Sequence, residues 1–196
     1  MGDYQTLDNL AKAFIGESMA RNRYTMYAGI AQKEGYRQIA EIFLATAGNE
    51  LEHGEWNMRM LNAVMEKTGS KSFDPKVDME VPHVMKTTAE NLAAAIAGEH
   101  YETTTMYPEF ADVAQKEGFS SVATRLRAIG SVEAHHEARY NMLLEQVKNG
   151  TVFKKQAKVK WVCMKCGYVH EGNTPPLKCP SCDHDKSYYM LLNEQY

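Results

Sequence analysis

Glu50-Leu51-Glu52-His53 and Glu133-Ala134-His135-His136 carry one pattern, a carboxylate followed three residues later by an imidazole. On a helix, residues three apart share a face, so each motif can offer an oxygen and a nitrogen to a common metal ion. Bundles that hold two irons between carboxylates use two such motifs and add one Glu from each of two further helices. Glu17 and Glu99 are the candidates for that part. A second constellation stands near the C-terminus. Cys163, Cys166, Cys179 and Cys182 form Cys-x2-Cys-x12-Cys-x2-Cys, the spacing of two thiolate knuckles around one tetrahedral metal. Zinc ribbons share that spacing, so it leaves zinc and iron both open.

Four stretches have the periodicity needed to position these groups. The first covers residues 6–34, with Leu7, Leu10, Phe14, Met19 and Ile30 at apolar positions. The second covers 36–67, through Ile39, Ile42, Phe43, Leu51 and Met58. The third covers 88–117, with the Thr88 hydroxyl as its cap, and the fourth covers 120–149. Gly35 and Gly118 follow the same Lys-Glu pair and mark tight stops, so the flanking helices are antiparallel neighbours. Residues 69–86 contain Pro75 and Pro82 and lack periodicity. That is the long crossover between the second and third helices of a ferritin-like four-helix bundle. The expected division is a bundle over 1–150 and a small metal-knuckle domain over 151–196. The Met residues at helical spacing read as core.

A shift of 83 residues lays Ala31-Gln32-Lys33-Glu34-Gly35 on Ala114-Gln115-Lys116-Glu117-Gly118 and matches 11 of 30 positions over 24–53. The matches include Tyr24 with Tyr107, Glu50 with Glu133 and His53 with His136. Each half is therefore one helical hairpin. At ~1.5 Å per residue Glu17 lies roughly 16 Å along its helix, and Glu50 roughly 24 Å from the same end. Glu99 and Glu133 fall at corresponding depths, so the four can meet near mid-bundle. Tyr24 and Tyr107 suit a hydrogen bond to ligand carboxylates, and almost as well simple aromatic packing. His100 and His135 point elsewhere on their helices, and His83, His170 and His184 fall in expected loops.

The composition, 44% hydrophobic and 24% charged, excludes a disordered or collagenous chain. No apolar run approaches a membrane span and no signal peptide follows Met1, so the expected compartment is the cytoplasm, where the thiols stay reduced. The Met1–Thr6 stretch fits a loose myristoylation pattern that arises easily by chance. Residues 1–150 hold 15 Lys/Arg against 21 Asp/Glu, and residues 151–196 hold 7 against 4. The acidic bundle argues against nucleic acid. The basic excess at Lys154, Lys155, Lys158 and Lys160 reads as a solvated linker. With about 40 residues the small domain cannot bury much core, so a metal must hold it together. Trp161 and Tyr168 are expected to pack against that centre.

Glu17-Ser18-Met19-Ala20-Arg21-Asn22-Arg23-Tyr24, both Glu-x-x-His motifs, Gly98-Glu99-His100-Tyr101-Glu102 and the paired knuckles together resemble rubrerythrin over nearly the whole chain. The resemblance implies a non-haem di-iron peroxidase that reduces hydrogen peroxide to water. It implies Glu17, Glu50, His53, Glu99, Glu102, Glu133 and His136 as iron ligands, with Glu50 and Glu133 bridging. The resemblance implies a switch in which one iron takes His53 when reduced and Glu102 when oxidised; the lesser alternative is that Glu102 only accepts an outer hydrogen bond. The resemblance also favours one rubredoxin-like iron on the four cysteines. Electrons would come from a reductase or a rubredoxin, ultimately from a reduced pyridine nucleotide. A head-to-tail homodimer would set the thiolate centre of one chain against the di-iron site of another. Asp183 departs from the pattern, because knuckles of this type usually carry Gly there. Ferritin-like iron oxidation and storage, a di-iron oxygenase, and a zinc ribbon that recruits partners on a bundle scaffold are the competing readings.

Overall fold

The computed structural model describes residues 4–70 and 73–194. The first residues of the Met1–Thr6 pattern, and residues 71–72 of the crossover, lie outside the described residues. Helices α1 (Gln5–Lys33) and α2 (Arg37–Thr68) form the first hairpin. The second is built from α3 (Thr88–Tyr101), a π-helical segment (Glu102–Met106), α4 (Tyr107–Lys116) and α5 (Ser120–Lys148). A three-stranded antiparallel sheet follows, β1 (Val159–Cys163), β2 (Val169–Gly172) and β3 (Tyr189–Leu191), in the order β2-β1-β3. Trp161 pairs with His170 on one side and Leu191 on the other.

The repeat is visible in backbone bonds. Gly35 and Gly118 both adopt left-handed φ, at 84° and 85°. Each closes its helix with the same two bonds, Gly35 N–H to Gln32 and Tyr36 N–H to Ala31, and Gly118 N–H to Gln115 and Phe119 N–H to Ala114. The glutamates before these glycines then cross between hairpins. Glu34 accepts from the Thr88 amide at the start of α3. Glu117 accepts from the Gln5 and Thr6 amides and the Thr6 hydroxyl at the start of α1. Each carboxylate satisfies orphan donors and meets the positive end of a helix dipole. The repeat thus latches its two halves together reciprocally.

Several expectations change. Thr87, not Thr88, caps α3, in a reciprocal capping box with Glu90; its backbone is extended, as an N-cap requires. The third helix is not uniform, because the π segment interrupts it at Glu102. Among the methionines, Met60 and Met106 are core, but Met26 and Met142 are exposed, as is Leu51. His170 lies in β2 rather than a loop. Tyr168 is partly exposed, and Tyr189 joins Trp161, Cys163 and Cys179 in the small core instead. Tyr189 is buried at the start of β3, and exposure then rises along the strand to Leu191. Lys155 is tied down rather than solvated, donating to Gln146 Oε1 at 2.7 Å and to the Thr151 carbonyl at 2.8 Å.

The apolar core comes in two parts. One gathers Leu10, Leu61, Met106, Phe119 and Leu126, and the other Tyr24, Tyr27, Phe43, Leu92 and Tyr140. On every helix the candidate ligands fall between the two. α5 comes so close to the start of α4 that a Cβ on Gly130 would stand 3.0 Å from the Tyr107 Cβ. Gly130→Val should therefore cost about 1–3 kcal/mol in chemical denaturation. Gly130→Ala should cost less, because its gain in helix propensity of about 1 kcal/mol opposes the crowding.

Candidate metal centres

α1, α2, α3 and α5 each contribute inward carboxylates at one level, and the Glu-x-x-His spacing sets a histidine one turn from Glu50 and Glu133. The ligand atoms fall into two quartets, Glu17, Glu50, His53 and Glu133, and Glu50, Glu99, Glu133 and His136, each spanning no more than 4.8 Å. Glu50 and Glu133 belong to both. His53 Nδ1 stands 2.9 Å from Glu50 and 2.8 Å from Glu133, and His136 Nδ1 stands 2.8 Å from Glu133 and 3.3 Å from Glu50. Glu17, Glu99 and Glu133 are fully buried.

Beyond these close imidazole–carboxylate approaches, both oxygens of Glu50 and of Glu133, one each of Glu17 and Glu99, and Nδ1 of both histidines are buried with no well-aligned hydrogen bond. Leaving so many polar atoms unpaired is costly unless a cation takes them up. Oxygen-rich quartets with one imidazole each, sharing two carboxylates, suit two ferrous or ferric ions. The donor set therefore fits a di-iron pair.

Outside the quartets the polar residues are also arranged in pairs. The Tyr24 hydroxyl donates to Glu99 and the Tyr107 hydroxyl donates to Glu17, so each hairpin's tyrosine holds the other hairpin's glutamate. Burial, and then the neighbouring carboxylates, push both phenols well above their usual range, so they remain donors. Tyr24 follows Glu17 by seven residues, whereas Tyr107 follows Glu99 by eight. A π segment adds one residue to a helix, and this one lies between Glu99 and Tyr107. The insertion keeps the two relations equivalent in space, and Glu102, at its first position and three residues after Glu99, shares the inward face of Glu99. Glu102 belongs to neither quartet but is buried beside them, its carboxyl raised by burial and by Glu99, Glu133 and Glu50. His100 and His135 are exposed, and His100 pairs with Glu137 at 3.1 Å.

Two residues went unremarked in the sequence. Asn57 is fully buried and donates to the Tyr107 hydroxyl at 3.4 Å. It continues the inward stripe Glu50, His53, Asn57 at helical spacing, which was the available signal. Arg23 packs its guanidinium 3.5 Å from where a Cβ on Gly98 would stand; nothing in its position marks it as different from Arg21.

The four thiols form a second cluster. Cys163 and Cys182 sulfurs are 3.8 Å apart and those of Cys166 and Cys179 3.6 Å, with all four within 4.8 Å. A disulfide would need about 2.05 Å. A tetrahedron with metal–sulfur bonds of about 2.3 Å has edges of roughly 3.8 Å, so the cage suits one four-thiolate ion. The knuckles match: Gly167 N–H donates to Cys163 O and Asp183 N–H to Cys179 O. Asp183 adopts left-handed φ at 58°, as Gly167 does at 78°. The departure from Gly leaves the turn intact, because Asp tolerates this region better than most residues, and its carboxylate pairs with Lys178 at 3.0 Å.

A four-helix bundle with a crossover, a carboxylate and imidazole site fitted to two irons and an appended four-thiolate cage defines a ferritin-like di-iron protein with a rubredoxin-like module. The comparisons narrow that class. The Rubrerythrin family model matches residues 8–144, and that of the rubrerythrin rubredoxin-like domain matches residues 161–190. A Methanocaldococcus jannaschii protein that carries the rubrerythrin name is 56% identical, over 98% of this chain and 95% of that protein. Rubrerythrin of Porphyromonas gingivalis is 42% identical over 98% of this chain and 92% of its own. Fully reduced, all-ferrous nigerythrin superposes with a TM-score of 0.63 at 30% identity, covering 98% of this chain and 88% of that one. The chain belongs to the rubrerythrin family, di-iron oxidoreductases of oxidative stress defence. Among the described residues no helix is long and apolar enough to cross a membrane.

Without metal, protons must balance the acidic layer. Burial alone would lower His53 and His136, but the adjacent Glu133 and Glu50 carboxylates raise them, to about 10 and about 12. Burial raises Glu99 to about 7. Each group binds its proton more tightly folded than unfolded, so stability is lost as pH rises from the unfolded towards the folded pKa. Glu133 shifts downward and acts only at more acid pH. The metal-free protein should therefore lose Tm steadily from pH 5 to pH 8, by roughly 2–4 °C for each kcal/mol lost. The iron-loaded form, whose ligands must already be deprotonated, should hold its Tm over that range. A flat profile for the metal-free protein would contradict this charge balance.

Proposed function

We propose that this chain is a peroxidase that reduces hydrogen peroxide to water, in the cytoplasm. Cys163, Cys166, Cys179 and Cys182 would hold an iron that supplies one-electron chemistry, passing in electrons from an NAD(P)H-linked reductase or a rubredoxin. The observation that carries the reading is one chain holding both a two-ion carboxylate site, with Glu50 and Glu133 common to its halves, and a four-thiolate cage. Storage of iron needs the first but gives no role to the second. When bound, a diferrous pair supplies together the two electrons that convert peroxide and two protons into two waters.

In this reading Glu50 and Glu133 would serve both ions, Glu17 and His53 would complete the holding of one, and Glu99 and His136 that of the other. Glu102 would offer a carboxylate in place of His53 to an oxidised ion, since hard oxygen suits ferric and imidazole ferrous iron. Tyr24 and Tyr107 keep their protons, orient Glu99 and Glu17, and offer hydroxyls near the reacting oxygens. The two apolar clusters exclude bulk water from the layer between them. The working division of the chain is 1–150 for this chemistry and 151–196 for electron delivery.

The small module rests on the α1–α2 turn of its own chain. Tyr36 stacks on Phe153, and the Arg37 guanidinium lies 3.7 Å over the Tyr188 ring. Glu50 is thirteen residues along α2 from Arg37, roughly 20 Å by helical rise. That separation supports a head-to-tail homodimer in which the module of one chain serves the site of another.

Two experiments test these statements. Cys163→Ser should abolish donor-dependent turnover, by about a hundredfold or more. Peroxide should still oxidise the chemically reduced bundle site of that variant at one peroxide per two electrons. Loss of both reactions would make the module structural, and retention of both would remove it from the electron path. Mixing Cys163→Ser chains with chains lacking Glu50 and Glu133, after subunit exchange, should restore donor-dependent activity. Hybrid dimers with both sites loaded and no activity would refute transfer between chains.

A further inference from the structure

The acidic layer opens into a cavity that hydrogen peroxide does not need. Beneath the crossover, between α1 and the α3–π rod, lies a cavity of about 800 Å3 lined by Glu102, Arg23 and the crossover residues Met79, Pro82 and Val84. A single water fills about 30 Å3, and hydrogen peroxide is little larger. A volume of this size is that of a site for an organic molecule, for which mostly apolar walls and a few converging polar groups are the rule. The walls follow that rule: Met19, Val84, Met106 and Phe110 supply apolar surface, and Gly16 and Ala94 keep the helices from filling it. Gly16 is buried, yet a Cβ built on it would meet no atom within 4 Å. At the inner end stand Glu102, with 8% of its surface exposed where Glu17 and Glu99 have none, and Arg23, whose Nε is buried without a partner.

We propose that this cavity admits organic hydroperoxides, compounds ROOH in which R is a compact apolar group, so that their O–O bond reaches the di-iron site on the Glu102 side. This rests on the peroxidase reading and specifies its substrate class. The O–O bond breaks, two electrons from the reduced site and two protons from solvent are consumed, and the products are ROH and water. R occupies the Met19–Phe110 surface, and the unpartnered Arg23 Nε–H donates to the oxygen that leaves as ROH.

The test uses full-length, iron-loaded protein, chemically reduced, with cumene hydroperoxide and hydrogen peroxide in separate reactions. Cumene hydroperoxide should yield one 2-phenyl-2-propanol per two electrons. Binding of 2-phenyl-2-propanol is measured independently of turnover, by saturation-transfer NMR on iron-free protein. Ala94→Phe, which fills the cavity from α3, should reduce cumene hydroperoxide turnover and alcohol binding at least about tenfold, the discrimination a hydrophobic pocket achieves. Its hydrogen peroxide turnover should change less than about twofold. Val84→Trp, on the crossover outside any helix, should do the same and covers the case in which Ala94→Phe fails to fold. Wild-type protein that reduces hydrogen peroxide but neither binds the alcohol nor reduces cumene hydroperoxide would overturn the inference and leave the peroxidase reading standing. Unchanged cumene hydroperoxide turnover in a folded, filled variant would also overturn it. Absence of both reactions would overturn the peroxidase reading itself.

Discussion

A layer of buried carboxylates that shares its level with two imidazoles is the constraint around which this bundle is built. Each ionised carboxylate in such surroundings carries a desolvation cost of several kcal/mol, and like charges at contact distance add to it. No arrangement of leucines relieves that cost; a cation does. The bundle responds by putting its apolar residues in two clusters, above and below, with the charge confined to one level. Outside that level it behaves as any four-helix bundle, and stability there comes from burial of residues such as Phe43, Leu92, Leu126 and Tyr140. At that level stability and metal occupancy are one quantity.

Two-fold repetition is what lets one chain make a site for two ions. Each hairpin carries one Glu-x-x-His motif, one further glutamate and one tyrosine, and the tyrosine of each reaches the glutamate of the other. The same reciprocity holds at the bundle ends, where Glu34 and Glu117 each cap the first helix of the opposite hairpin. Neither half can satisfy its own donors and acceptors alone. The hairpins therefore bind each other through specific polar contacts as well as through apolar area, and their register fixes how closely the two quartets share Glu50 and Glu133.

Much of this was legible before any coordinates. Helical periodicity and the Lys-Glu-Gly stops located the four rods to within a residue or two, since glycine at a left-handed position is a local requirement that needs no tertiary knowledge. The Glu and His clusters followed from i, i+3 spacing and the repeat. What escaped was set by context. The eight-residue step from Glu99 to Tyr107, against seven from Glu17 to Tyr24, was visible as a number, but only the backbone reveals a π insertion. The cap fell on Thr87 because its extended backbone, not its type, distinguishes it from Thr88. Tyr189 displaced Tyr168 from the small core because a three-residue strand is too short to identify from its pattern. Asp183 holds a turn usually given to glycine, which composition alone would have disfavoured.

The repeat is broken on one side only, and that asymmetry bears on how reactants arrive. Among the described residues the α1–α2 hairpin has no π segment and the other rod has one, while the crossover lies over both, its Val84 carbonyl accepting from the Tyr27 hydroxyl of α1. An electron crosses packed protein without an opening, so the thiolate cage need touch neither quartet, and a fully buried Glu133 is no obstacle to it. A substrate does need an opening. Of the carboxylates at the layer, Glu102 retains the most exposed surface, and it owes its inward aim to its place three residues after Glu99 on one helical face. The π segment begins at that carboxylate, and its extra residue lets Tyr107 reach Glu17 as Tyr24 reaches Glu99. Deleting one residue between Glu102 and Tyr107 would restore the seven-residue step of the other hairpin and leave Glu102 on the face it shares with Glu99, still directed at the layer and the cavity.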